Sequence, residues 1–192
     1  MKFQSIKKIK YWIQASRIET LPLSVSGIIV GSFYAFYNYS FDKIIFVLSI
    51  ITAISFQILS NFANDYGDGV LGTDNNRIGP KRVIASGKLT LEELKKGIIV
   101  NVFISITLSY SLIKYSFKND YLFIVIFLFL SIFSILAAIK YTMGTTPYGY
   151  YGFGDIFVFL FILESFSISL ILFRFNTPTH KNPIIDPKIN TS

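Results

Sequence analysis

Residues 43–68 read KIIFVLSIITAISFQILSNFANDYGD, an apolar segment that ends in a group of amides and carboxylates. A helix needs about 20 mostly apolar residues to cross the hydrocarbon core of a bilayer. Residues 43–63 supply that length without interruption, which the core of a soluble protein of this size does not require. The stretch therefore predicts a membrane-spanning helix with a polar site at its end.

The rest of the chain repeats this pattern. Only 15% of the 192 residues are charged and 52% are hydrophobic, whereas soluble domains carry about 25% charged residues. Apolar runs predict five membrane-spanning helices, at about residues 18–38, 43–63, 97–117, 121–139 and 154–173. The predicted fold class is an all-α integral membrane protein with one domain, residues 1–173. We expect the polar, proline-broken tail, residues 174–192, to be disordered.

Charge and cysteine content narrow the possible functions. The chain has no cysteine, which excludes disulfide and thiol chemistry and cysteine zinc sites. The single histidine, His180, lies in the polar tail, so a histidine metal centre or a catalytic triad is not expected. The net charge of +7 fits lysines that anchor the cytoplasmic side of a membrane protein better than it fits nucleic-acid binding. Basic residues before span one and between spans two and three predict a cytoplasmic N-terminus and a cytoplasmic 64–96 loop.

Polar residues form a stripe where the second predicted helix continues into the motif. Carboxylates close to a membrane by default mark a functional site, and carboxylates one helical turn apart repel each other unless a cation joins them. Oxygen-only ligands suit Mg²⁺, which shares its shell with waters and substrate phosphates. The stripe consists of Gln57, Asn61, Asn64, Asp65 and Asp68, on one helix face, and Asp74 follows after a glycine-containing break.

Basic residues follow this stripe directly. Arg77, Lys81 and Arg82 can bind phosphate, and a guanidinium does so in a bidentate way. The whole stretch predicts a Mg²⁺–diphosphate site. A polar helix cap with a solvated loop would explain any single aspartate equally well, but it explains the complete stripe with its basic residues poorly.

The segments NDYGDGVLGTD (residues 64–74) and RIGPKR (residues 77–82) resemble the first Asp-rich motif of the UbiA superfamily of intramembrane prenyltransferases, in its menaquinone branch. WIQASRIETLPLSVSGIIVG, residues 12–31, is similar to the first helix of that family. YTMGTTPYGYYGFGDIFVFLF, residues 141–161, is similar to the loop after its fourth helix. The resemblance runs in order over residues 11–161.

The resemblance implies the N-terminal part of a bundle of nine membrane helices around a cavity. In that family two Asp-rich motifs face each other across the diphosphate of a polyprenyl donor, with Mg²⁺ between them. The implied reaction transfers a polyprenyl group from polyprenyl diphosphate to 1,4-dihydroxy-2-naphthoate with loss of CO₂, in menaquinone biosynthesis. The implied location is the bacterial inner membrane.

Roles for individual residues follow from the same resemblance and from the basic residues after the stripe. They place catalysis on Asp68 and Tyr141, metal binding on Asp65, Asp68 and Asp74, and diphosphate binding on Arg17, Asn64, Arg77, Lys81 and Arg82.

The resemblance stops after residue 161, and the chain contains no second acidic cluster. We therefore expect a copy that is truncated at its C-terminus and weakly active or inactive. A shift of reading frame would explain this, and so would a separate chain that carries the remaining helices.

Two other functions stay open. One is a UbiA-type prenyltransferase for another aromatic acceptor, such as 4-hydroxybenzoate, homogentisate or a porphyrin. The other is a non-enzymatic membrane subunit or small channel, which predicts polar stripes on several spans. The third and fourth predicted spans offer only a few polar residues, which read as scattered: Asn101, Ser105, Thr107 and Ser109.

Overall fold

The computed structural model describes residues 2–37, 41–72 and 82–144, together with residues 147 and 149. These residues form helices and connecting turns and contain no strand, which confirms the predicted all-α class. The helices are α1 (Lys2–Ser16), α2 (Leu21–Tyr37), α3 (Lys43–Leu71), α4 (Leu91–Phe117) and α5 (Tyr121–Lys140), and a 3₁₀ turn (Ile18–Thr20) separates α1 from α2.

Four segments of the described chain are long and apolar enough to cross a membrane: Lys7–Tyr37, Lys43–Leu71, Leu91–Phe117 and Tyr121–Lys140. They correspond to the first four predicted spans, and the protein is a multi-pass membrane protein. The fifth predicted span, residues 154–173, and the tail, residues 174–192, lie outside the described residues.

The connection between α3 and α4 is shorter than the predicted loop at residues 64–96, and its first residues are helical, as the predicted continuation of the second helix into the acidic stripe requires. Helix α3 continues to Leu71, and at 1.5 Å per residue its length is about 43 Å, more than the roughly 30 Å hydrocarbon core requires. Helix α4 begins at Leu91 rather than at residue 97, because a capping box starts it. Thr90 Oγ1 accepts the Glu93 N–H at 3.2 Å, and Glu93 Oε2 accepts the Thr90 N–H at 3.1 Å.

Helix α3 is the central element of the described chain. It packs against α1, α2, α4 and α5, and α4 also packs against α5. The Asp42 side chain caps its first turn by accepting the N–H groups of Ile44 and Ile45 at 2.8 and 3.0 Å. Because every other described helix contacts α3, residues on its surface can meet partners from any part of the chain.

The buried core consists of two apolar clusters, one towards each end of α3 and α4. Between them the contact is polar: the Ser55 hydroxyl lies 3.0 Å from Asn101 Oδ1 and 2.7 Å from Ser105 Oγ. Asn101, Ser105 and Ser109 are all buried along one face of α4, so the interpretation of them as scattered residues is wrong. Small residues let membrane helices approach closely, and their hydrogen bonds hold the pair together.

Candidate active site

Helix α3 carries the acidic residues on its last turns, as predicted. The helix ends at Gly72, which has a left-handed φ of 68° and donates its N–H to the Asp68 carbonyl. Glycine favours this ending because it has no Cβ. Asp65 is 2% exposed and Asp68 is 8% exposed. Carboxylates buried to this degree must have their charge balanced by partners.

Two arginines from distant segments balance these carboxylates. The Arg17 guanidinium pairs with Asp65 Oδ1, and the Arg82 guanidinium pairs with Asp68 Oδ2. Arg82 also lies 3.6 Å from Asp65 Oδ1 and donates to the backbone carbonyl of Asn64 at 3.4 Å. Guanidinium groups therefore neutralise the two carboxylates in this structure, and the predicted Mg²⁺ stays a prediction.

A compact turn holds the backbone of Arg82 beside α3. The Ser86 N–H donates to the Arg82 carbonyl at 2.9 Å, and the Gly87 N–H donates to the Ile84 carbonyl at 2.9 Å. Gly87 has a φ of 65°, which glycine adopts without strain. Val83 is 1% exposed and belongs to the apolar cluster at this end of α3. The turn therefore docks on the core and leaves the Arg82 side chain directed at the acidic pair.

The segment after α5 closes the other side of the site through Thr142. Thr142 Oγ1 donates to Asn64 Oδ1 at 3.1 Å, and this residue is 6% exposed. A Cβ at Gly67 would lie 2.2 Å from the Thr142 carbonyl oxygen, so only glycine permits this approach. Sequence reasoning did not assign a role to Thr142. Its position directly after Tyr141, a predicted site residue, is the signal that could have identified it.

Tyr141 lies at the end of α5, next to Thr142. Its N–H donates to the Ala137 carbonyl at 2.9 Å, and its carbonyl accepts the Gly149 N–H at 2.8 Å. A Cβ at Gly149 would lie 2.8 Å from Tyr141 Cζ, so the glycine lies directly against the ring. Tyr141 is therefore next in sequence to Thr142, which contacts Asn64. Its predicted position beside the reacting centre stays a prediction.

The two amides at the start of the predicted stripe bind elsewhere. Asn61 Nδ2 donates to the Ser16 carbonyl at 2.9 Å and to Thr20 Oγ1 at 3.1 Å. Gln57 Nε2 lies 3.4 Å from Thr20 Oγ1 and 3.4 Å from Asn61 Oδ1. Gln57 and Asn61 therefore hold the backbone and Thr20 of the segment that joins α1 to α2, whereas the carboxylates of the stripe pair with arginine side chains.

The structure brings together part of the predicted set. Asp74, Arg77 and Lys81 lie outside the described residues, so their roles stay predictions. The predicted residues that meet at the end of α3 are Arg17, Asn64, Asp65, Asp68 and Arg82.

The atoms at this site that could coordinate a metal ion are all oxygens. Within the described ranges, no group of three or more acidic, histidine or cysteine side chains lies close enough to hold a metal ion. Asp65, Asp68 and the side-chain carbonyl of Asn64 are nevertheless the hard ligands that Mg²⁺ takes, with waters and phosphate oxygens completing its shell. The set fits a divalent cation shared with a substrate, provided that the arginines release the carboxylates.

Curated proteins from several bacteria are similar to this chain. It is 42% identical over 161 residues to 1,4-dihydroxy-2-naphthoate octaprenyltransferase of Escherichia coli. These 161 residues cover 82% of this chain and 51% of that protein. It is 43% identical over 159 residues to the protein of the same name in Haemophilus influenzae, at 81% and 51% coverage. The relative of that name in Mycobacterium leprae is 32% identical over 150 residues, at 78% and 49% coverage. The chain therefore spans about half the length of these relatives.

No solved structure matches the chain significantly. A family model does: that of the UbiA prenyltransferase family covers residues 24–171, which include the acidic end of α3, Arg82 and Thr142. The chain belongs to the UbiA prenyltransferase family.

Proposed function

We propose that this chain carries the first diphosphate-binding half of an enzyme that transfers a polyprenyl group from polyprenyl diphosphate to 1,4-dihydroxy-2-naphthoate, with loss of CO₂. One observation carries the proposal: Asp65 and Asp68 are buried at the end of a membrane helix, and each pairs with an arginine from another segment. The names of the bacterial relatives support the choice of acceptor.

The proposed reaction separates charge in an apolar environment. The C–O bond between the prenyl group and the diphosphate breaks, and both electrons leave on the diphosphate. The electron-rich naphthoate ring forms the new C–C bond, and its carboxylate leaves as CO₂. Groups that stabilise the negative charge on the departing diphosphate therefore lower the barrier.

Arg17 and Arg82 are suited to this task. A guanidinium binds carboxylate and phosphate with the same planar fork of N–H groups, so each arginine can exchange a carboxylate for a diphosphate oxygen. While no donor is bound, the arginines keep the buried charges of Asp65 and Asp68 neutralised. When the arginines turn to the diphosphate, the carboxylates become available as ligands.

Enzymes of this family generally depend on a divalent metal, and we propose Mg²⁺, held by Asp65, Asp68 and the predicted ligand Asp74. A bound Mg²⁺ would neutralise charge on the leaving diphosphate. Thr142 fixes the Asn64 side chain by donating to its oxygen at 3.1 Å, which leaves that amide oriented beside the carboxylates.

We further infer that a complete site needs a second acidic cluster on another polypeptide segment. The family resemblance implies two clusters that face each other, and the 192 residues contain only the one on α3. The proposed location is the bacterial inner membrane, with the N-terminus and the segment between α3 and α4 on the cytoplasmic side.

Binding by the chain itself tests the first half of the proposal. The chain would be reconstituted in lipid vesicles and titrated with polyprenyl diphosphate in the presence and absence of Mg²⁺. Because a buried charged ligand is lost, we expect Asp68→Asn to weaken Mg²⁺-dependent binding by at least about tenfold. Asp42→Asn is the matched control, since it removes the same charge at the opposite end of the same helix and asparagine still caps. A folded wild-type chain that does not bind polyprenyl diphosphate would overturn the proposal.

Product formation tests the second half. The chain would be expressed with the C-terminal half of the Escherichia coli relative in membranes that lack naphthoate prenyltransferase. We expect demethylmenaquinone only when both halves are present, and none with Asp68→Asn. Product from the Asp68→Asn chain would exclude the proposed role of this cluster.

A further inference from the structure

The backbone reverses its local conformation at Arg17, between α1 and the 3₁₀ turn. Arg17 has φ 46° and ψ 66°, a left-handed conformation that residues with a side chain seldom adopt. Such a conformation persists only where surrounding contacts enforce it.

The break leaves backbone groups that a continuous helix would pair. In a continuous helix the Ser16 carbonyl would accept the Thr20 N–H, but here the Thr20 N–H donates to the Arg17 carbonyl at 2.9 Å. Asn61 Nδ2 takes its place and donates to the Ser16 carbonyl at 2.9 Å. In a membrane protein such a carbonyl needs a partner from the protein, and α3 supplies it.

The Thr20 hydroxyl joins the two sides of this contact. It donates to the Arg17 carbonyl at 2.9 Å and accepts from Asn61 Nδ2 at 3.1 Å. Gln57 Nε2 lies 3.4 Å from the same hydroxyl. The break is therefore held from within by Thr20 and from α3 by two amides.

The side chain of Arg17 then meets the same face of α3. Asn61 and Asp65 are four residues apart, and positions with this spacing lie one above the other on a helix. Asn61 holds the backbone beside Arg17, and Asp65 pairs with the guanidinium of Arg17. One turn of α3 thus sets both the backbone and the side chain of this arginine.

We propose that Asn61 and Thr20 are positioning residues, which hold the break at Arg17 so that its guanidinium reaches the acidic pair. Neither residue touches the diphosphate, and both act through Arg17. The inference rests on the proposed function in one respect, namely that Arg17 binds the diphosphate. It accounts for the left-handed backbone at Arg17 and for the partner of the Ser16 carbonyl without giving Asn61 a role as a ligand.

The test uses Thr20→Val, which removes the hydroxyl with little change of shape, and Arg17→Gln. The affinity of the reconstituted chain for inorganic diphosphate with Mg²⁺ would be measured for both variants and for the double variant. We expect Thr20→Val to weaken binding about tenfold, since a hydrogen-bonded network is broken. In the Arg17→Gln background we expect no further loss, because the group through which Thr20 acts is gone. Thr20→Ser restores the hydroxyl and should restore the affinity.

The control is Ser105→Ala, which also removes a buried hydroxyl, but between α3 and α4. It should lower thermal stability and leave diphosphate affinity unchanged. Independent, additive losses from Thr20→Val and Arg17→Gln would overturn the inference, as would a failure of Thr20→Ser to restore binding.

A wild-type chain that folds but does not bind diphosphate would refute the proposed function rather than this inference. The inference is then decided without ligand, from the melting temperatures of the same variants. Thr20→Val should lower the melting temperature less in the Arg17→Gln chain than in the wild-type chain, and equal decreases would refute it.

Discussion

The Arg17 guanidinium pairs with the Asp65 carboxylate, although 48 positions separate the two residues in the chain. Asp65 is almost completely buried, and an unpaired charge there would carry a large desolvation cost. The pair therefore ties the segment that joins α1 to α2 onto the acidic end of α3. The same contact that builds the candidate site also holds two membrane segments together.

Loss of this arginine should destabilise the chain. We expect Arg17→Gln to lower the free energy of unfolding by about 3 kcal/mol, because it removes one charged partner of a buried carboxylate. Arg82, 3.6 Å from the same carboxylate oxygen, offsets part of that loss. Adding Asp65→Asn removes the stranded charge and should recover part of the stability. The measurement is unfolding in detergent micelles, and a double variant no more stable than Arg17→Gln alone would contradict the prediction.

The close approach of Thr142 to α3 makes Gly67 sensitive to any side chain. We expect Gly67→Ala to lower the free energy of unfolding by about 1–3 kcal/mol and to break the Thr142–Asn64 hydrogen bond. The reason is that the alanine Cβ would lie 2.2 Å from the Thr142 carbonyl oxygen. Gly69→Ala is the control on the same helix. There the nearest atom is the Ile84 Cγ2 methyl group, at 2.7 Å, and because it belongs to a side chain and not to the backbone we expect a smaller loss of stability. Equal stability of the two alanine variants would show that the segment after α5 is not held at this position.

The polar contact between α3 and α4 should contribute measurably to the packing of the two helices. We expect Asn101→Ala to lower the free energy of unfolding by about 1 kcal/mol, the usual size of an interhelical hydrogen bond in a membrane protein. Thr107→Ala serves as the control, because Thr107 Oγ1 donates at 2.8 Å to the Phe103 carbonyl of its own helix. If the two substitutions had the same effect, the Asn101 cluster would not stabilise the helix pair.

The absence of cysteine allows the orientation in the membrane to be measured with single introduced cysteines. Ala85 and Asn119 are both exposed and lie at opposite ends of α4. A membrane-impermeant maleimide applied to intact cells should label Asn119→Cys, while Ala85→Cys should react only after the cells are opened. Labelling of both from outside would show that α4 does not cross the membrane. The reverse pattern would leave the span intact and invert the predicted orientation.

The helices were largely predictable because membrane insertion depends on local composition. Long apolar runs located at least one end of each of the first four spans to within one residue, and polar turns extend three of these spans further at the other end. The start of α4 was missed although its signal, Thr90 followed by Glu93, is readable as a capping box. Hydrophobicity alone does not detect a helix whose first turn is polar.

The acidic part of the site was predictable for a similar reason. Spacing along α3 places Asn64, Asp65 and Asp68 on one helix face, whatever the rest of the chain does. The same spacing places Asn61 on this face as well, but its amide binds the Ser16 carbonyl and not the acidic pair. Periodicity shows which residues share a face and does not show what packs against each turn of it.

By itself the sequence determined an all-α membrane protein with an acidic pair at the end of its second predicted span, because hydrophobic length and helical period are local properties. The tertiary structure alone decided the partners of that pair. Arg17 and Thr142 lie 48 and 78 positions from the α3 residues that they bind. Such contacts depend on how the helices pack around α3, and that packing is set by close approaches such as Thr142 on Gly67, which no local pattern encodes.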